Sequence, residues 1–141
     1  MAYCTLSDIL EQIPEHELMA LTDDDGVDAV DTSVTDRAIA DADAEIDGYC
    51  GKRYAVPFPA TPVILRKISV DIVIYNLFAR RQGAPDDRRT RYKDAVNFLE
   101  GVAKGLVSLG VEDPDSTLPE TGKPRITSSD RVFSRSTMAG F

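Results

Sequence analysis

The stretch Asp31–Tyr54, DTSVTDRAIADADAEIDGYCGKRY, and the run Thr61–Arg81, TPVILRKISVDIVIYNLFARR, together decide the fold. In the first, Val34, Ala38, Ala42, Ile46 and Tyr49 recur at helical steps of four and three, along one face of an α-helix. Asp36, Asp43 and Asp47 gather elsewhere on its surface, so the helix is apolar on one side and acidic on another. Gly51 stops it, and Pro57, Pro59 and Pro62 keep the next residues extended. The second stretch is apolar on two faces, Leu65, Ile68, Ile72 and Tyr75 on one and Val63, Val70, Ile74 and Leu77 on the other. A helix apolar on two faces is covered on both, which predicts this one at the centre of the core.

On the N-terminal side, Thr5 and Asp8 make a capping-box pattern with Asp in place of Glu. It opens a short helix through Gln12 with apolar positions Leu6, Ile9, Leu10 and Ile13. Pro14 suits the first position of a second short helix, EHELMAL, with Glu15 and Glu17 near its positive end and Leu18 and Leu21 facing the core. LTDDDGVDAVD, which follows, is a loop of turn formers. Setting Gly26 at the sixth position of a calcium loop leaves Leu21 first and Thr32 twelfth, where oxygen ligands, usually carboxylates, belong, so the loop reads as an acidic turn. Asp31 or Thr32 caps the long helix, which ends near Cys50.

On the C-terminal side, Thr61-Pro62 supplies a cap and a first-turn proline for the central helix. Lys67 and Asp71 are four apart and can pair, and Asp71 among apolar neighbours needs a cationic or hydroxyl partner. QGAPDD breaks the helix; Asp86 starts another to about Lys104, with Tyr92, Val96, Leu99 and Ala103 as its apolar stripe. Arg88, Arg89, Arg91 and Lys93 crowd its first half, where basic charge opposes the helix dipole, so part of it is expected to serve an external contact. From Val107 the pattern dissolves into a linker, EDPDSTLPETGKP, and then RITSSDRVFSRSTMAGF, a tail or an arm able to add a strand or an aromatic anchor to a partner. The expected fold class is all-α: a small bundle of two short and three longer helices over residues 1–109, with a linker and extended arm over 110–141.

Charge is strongly polarised along the chain. Residues 1–51 hold fourteen acidic side chains against the single Arg37, residues 52–106 eleven basic against five acidic, and the whole chain carries −8. So acidic a chain is poorly suited to gripping nucleic acid by phosphate neutralisation; polarised charge suits contacts between copies or with protein partners. Arg66, Lys67, Asp71 and Asn76 interrupt the longest apolar run, so no membrane span is expected, and MAYCTLSDIL lacks the basic start of a secretory signal. Two cysteines, Cys4 and Cys50, make no disulfide framework, which points to a cytosolic chain with reduced thiols. His16 is the single histidine, no phosphate loop or nucleophile elbow is present, and within the run Asp41, Asp43, Glu45 and Asp47 only the pairs Asp41/Glu45 and Asp43/Asp47 lie together. Neither enzymatic activity nor a cofactor or metal is expected.

Four blocks carry a resemblance: AYCTLSDILEQIPEHELMALTD, DRAIADADAEIDGYCGKRYAVPF, ILRKISVDIVIYNLFARR and RYKDAVNFLEGVAKGLVSL, with RVFSRSTMAGF closing the chain. In order and spacing they resemble a family of small Mu-like phage and prophage proteins, itself similar to the all-helical head–tail connector (adaptor, head-completion) proteins of tailed phages. The resemblance implies a ring of about twelve subunits beneath the portal, extending the channel through which DNA passes without specific binding. It implies the portal and a tail-side neck or tail-terminator protein as partners, a place in the virion neck, and the host cytoplasm during assembly. On that footing Asp36, Asp43 and Asp47 are candidates for an acidic lumen, and Arg88, Arg89, Arg91 and Lys93 for a basic inter-subunit surface. Arg131, Phe133, Arg135 and Phe141 are candidates for an arm docking on the portal or an adjacent subunit. The alternative is a cytosolic, protein-binding regulatory module of a prophage.

Overall fold

Five helices follow one another in the computed structural model, which describes residues 1–111: α1 Leu6–Leu10, α2 Glu15–Thr22, α3 Thr32–Cys50, α4 Val63–Arg81 and α5 Asp86–Ala103. No strand occurs among the described residues, and the fold is the expected all-α bundle. The arm candidates Arg131, Phe133, Arg135 and Phe141 lie outside the described residues.

α4 is the axis. It packs against each of the other four helices, and α3 and α5 also meet each other, so α3, α4 and α5 form a three-helix core with α1 and α2 laid on α4. Leu65, Ile68, Val70, Ile72, Val73, Ile74, Leu77 and Phe78 are all buried, as the two apolar faces required. Each large aliphatic side chain buried this way contributes about 1.5–3 kcal/mol. From α3 come Ala38, Ala42 and Ile46 on the expected face, joined by Thr35, Ile39 and Cys50.

The helix starts follow local chemistry. Thr5 and Asp8 form the reciprocal capping box, and the Asp31 carboxylate accepts from the backbone N–H groups of Ser33 and Val34. Pro14, Pro62 and Pro85 each stand one residue before a helix, in extended conformation with ψ of 152°, 140° and 157°. Pro14 and Pro62 are therefore N-caps rather than first-turn residues, a one-residue shift from the expected boundaries. α5 ends in a Schellman motif: Gly105 takes φ +79°, its N–H bonds the Val102 carbonyl, and the Leu106 N–H reaches back to Gly101.

Two apolar assignments shift. On α5 the buried residues are Ala95, Leu99 and Val102, while Val96 and Ala103 are only half-buried. The helix faces the crevice between α3 and α4, which turns its seam toward the 95–102 line. Val63, at the first position of α4, is 81% exposed, so the second apolar face of that helix begins at Val70. Downstream, Leu109 is buried and its N–H donates to the Tyr54 hydroxyl, 3.2 Å away.

Candidate functional site

The acidic face of α3 is partly occupied from within. The Tyr3 backbone N–H donates to Asp43 at 3.1 Å, and the Tyr3 hydroxyl donates to Asp47 in a short hydrogen bond. That hydroxyl also accepts from the Phe58 N–H at 3.3 Å, and Tyr3 and Tyr54 both pack their rings against Phe58. Asp43 and Asp47 thus clasp the N-terminal segment to α3 and to the 51–62 connection. Burial raises the Asp43 carboxyl above its usual range, with the Asp47 charge adding to it and the Tyr3 N–H opposing. Asp36, the third of the candidate acids, is exposed. It rims a shallow depression of about 390 Å³ between the N-terminal segment and α3, lined also by Cys4, Leu6, Ile39, Ala40 and Asp43.

The basic face of α5 divides in two. Arg88 is folded inward: one terminal nitrogen reaches the Gln12 carbonyl at 3.4 Å, while Nη1 is buried with no hydrogen-bond partner among the described residues. Arg91 approaches the buried Asp71 carboxylate at 3.6 Å, and Lys67 completes the pairing at 3.0 Å. Asp71 therefore has the cationic partners its position demands. Arg89 and Lys93 remain exposed. Arg80 and Arg81, at the end of α4, are spent on the acidic turn: both pair with Asp24, and both donate to carbonyls at the end of α2. The Asp23 carboxylate in that turn accepts N–H groups from Gly26, Val27 and Asp28, which hold its pKa below the usual range.

Two neighbouring clefts share Lys67 and Arg91, one chiefly between the α1 end and α4, the other between α4 and α5. One, of about 260 Å³, is lined by Asp8, Glu11, Val63, Arg66, Val70 and Asp71; the other, of about 180 Å³, by Ile64, Ile68, Asp94, Ala95 and Phe98. Among the described residues no group of three His, Cys, Asp or Glu side chains could hold a metal ion, and no helix is long and apolar enough to cross a membrane. His16 is exposed on α2. Cys4 and Cys50 are buried free thiols, each pushed up to about 11 chiefly by desolvation.

One junction has no trace in the periodicity. Tyr92 of α5 stacks on Tyr75 of α4 with centroids 4.1 Å apart and rings 10° from parallel, and its hydroxyl donates to Glu45 of α3 at 3.0 Å. Sequence reading placed both tyrosines on apolar stripes and Glu45 in an acidic pair with Asp41, without joining them. The signal was the amphipathic nature of tyrosine, which brings a polar tip to any half-buried seam.

The family model described as Bacteriophage Mu, Gp36 matches residues 3–128. The chain is 34% identical over 113 residues to the Mu-like prophage FluMu protein gp36 of Haemophilus influenzae, covering 80% of this chain and 79% of that relative. It is 31% identical over 138 residues to gene product J of Escherichia phage Mu, covering 96% of each. With the family match spanning all five helices, the chain belongs to the Bacteriophage Mu Gp36 family and is a Mu-like phage protein.

Proposed function

We propose that this chain is a non-enzymatic head–tail connector: it assembles as a ring beneath the portal, extends the DNA channel of the neck, and receives a tail-side neck or tail-terminator protein. The observation that carries this is the separation of charge within one helical domain. Acidic side chains dominate the sequence through α3, and basic ones the part holding α4 and α5. Unlike charge on the exposed members of the two sets favours closed head-to-tail association between copies.

DNA must slide through such a channel, so its wall should repel phosphate rather than hold it. Because Asp43 and Asp47 are engaged with Tyr3, the lumen role falls first to Asp36 and with it to the other exposed carboxylates of the acidic part, among them Glu15, Asp25, Asp28 and Asp41. Arg89 and Lys93 remain the outward part of the basic surface. The arm, through Arg131, Phe133, Arg135 and Phe141, supplies the attachment to the portal.

The test is genetic and structural. A Mu-like phage unable to make this protein should accumulate DNA-filled heads and free tails that do not join, and supplying the protein in trans should restore joined particles. Normal virions in its absence would overturn the proposal.

A further inference from the structure

We infer that neighbouring copies of this chain meet end to end, the cap that closes α5 on one copy receiving the acidic turn before α3 of the next, a contact that rests on the ring proposed above. The two surfaces stand at opposite ends of the domain. Arg80 and Arg81, the last residues but one and the last of α4, hold the acidic turn through Asp24. α5 runs back along α4, with Ala95 and Phe98 sharing a cleft with Ile68 and Ile64, so it ends beside the start of α4. The length of α4, 19 residues, sets the two surfaces roughly 28 Å apart. A contact between different patches of identical chains is head-to-tail, the kind that can close into a ring.

The cap is an apolar knob on a rigid mount. In a Schellman turn the residue after the left-handed glycine commonly rests on a side chain of the last helical turn. Here the Leu106 N–H bonds the Gly101 carbonyl at 2.9 Å, but Gly101 offers no side chain, and Val107 covers the spot where a Cβ would stand. Leu106 is left 80% exposed. Exposed Lys104 precedes it, the Arg53 guanidinium lies against Gly105, and exposed Lys52 adjoins Arg53. Glu100 pairs with Lys104 at 3.3 Å and Asp47 is held by Tyr3, so cations predominate around the leucine.

The acidic turn reverses this pattern. Its tip is Val27, 71% exposed, between the exposed Asp25 and Asp28. The Asp23 carboxylate fixes that tip by accepting the N–H groups of Gly26, Val27 and Asp28, and Asp28 takes φ +56°. Asp23, Asp24, Asp25, Asp28 and Asp31 stand together against Arg80 and Arg81, so acids predominate around the valine. Each surface holds a large apolar side chain out to solvent on a backbone locked by local hydrogen bonds, and packing within the domain uses neither. Burial of Leu106 against Val27 supplies affinity, and the unlike charge decides which end meets which. The contact takes Asp25 and Asp28 out of the channel wall and leaves it to Asp36, Glu15 and Asp41.

The test uses full-length chains in two preparations, one carrying L106C and the other V27C with a size tag, mixed with portal protein and treated with a short bis-maleimide. The native Cys4 and Cys50 are buried. Untreated wild-type chain, with and without portal protein, is weighed in parallel by mass photometry. The expected result is an L106C–V27C heterodimer far in excess of either homodimer. Lys52→Glu with Lys104→Glu on the L106C chain should abolish it, and Asp25→Lys on the V27C chain should then return part of it. The chain's own acidic linker is the other occupant, and Glu112→Gln, Asp113→Asn and Asp115→Asn on the L106C chain separate it. Heterodimer that forms only with those three changes would assign the cap to the linker and overturn the inference. Rings without L106C–V27C linkage would overturn this contact and leave the connector proposal standing. Neither rings nor linkage would overturn both.

Discussion

The guanidinium of Arg91 lies 3.6 Å from the carboxylate of Asp71, whose side chain is only 4% exposed, so α4 and α5 are joined by charge as well as by apolar contact. Lys67 approaches the same carboxylate from within α4 at 3.0 Å. The buried member of this trio is the acid, and the two cations reach it from solvent with 48% and 68% of their side chains exposed. Removing one cation should cost about 1 kcal/mol, because the other still compensates Asp71. The double variant K67M/R91M should cost more than the two singles together, about 3 kcal/mol, by leaving a buried charge unpaired. Adding Asp71→Leu to it should return most of that loss. Urea denaturation of the four variants measures the coupling.

Tyr3 tests the clasp. Tyr3→Phe keeps the ring against Phe58 but leaves the Phe58 N–H and the Asp47 carboxylate without their shared hydroxyl. A loss of about 2 kcal/mol is expected, and hydrogen exchange should rise first in residues 1–5 and at Phe58. In a spectrophotometric titration the Tyr3 phenol should ionise well above an ordinary tyrosine, because it is buried and donates to Asp47.

Two aspartates should give opposite pH signatures. Burial raises the folded-state pKa of Asp43, so its ionised form costs stability at neutral pH, and that cost is relieved as pH falls through the raised value. Asp43→Asn should therefore be stabilising at pH 7, with the advantage vanishing in the acid range. Backbone N–H groups, the Val27 bond largest, lower the pKa of Asp23, so its contribution is present above the unfolded value and lost as pH falls through the folded one. Asp23→Asn should be destabilising at pH 7 and neutral at the acid end. Thermal melts of both variants from pH 7 to pH 3 check the signs.

The end of α5 offers a backbone test. Gly105 holds φ +79°, and an added Cβ would come within 2.8 Å of the Arg53 guanidinium. Gly105→Ala should cost about 1 kcal/mol, with the first protection losses at Leu106 and Leu109.

How much of this was legible in the sequence follows from the range of each interaction. Helices α3 and α4 could be read because their apolar residues repeat at the helical period, and the caps at Thr5 and Asp31 because capping is local. The need of Asp71 for a cation could be read as well, but only Lys67, one turn away, could be named; Arg91 is twenty residues distant. The α5 seam was misread because Tyr92, Val96 and Leu99 fit a helical stripe as well as Ala95, Leu99 and Val102 do, and only the α3–α4 crevice decides between them. The acidic face of α3 looked like one surface. Tyr3, forty residues upstream, divides it by taking Asp43 and leaving Asp36 exposed.

The most direct test of the central claim is the mass of the purified chain, alone and mixed with its portal protein, by mass photometry with negative-stain imaging. A discrete ring mass is expected in at least one sample, with a ring stacked coaxially on the portal in the mixture. A monomer or dimer in both, indifferent to the portal, would contradict it.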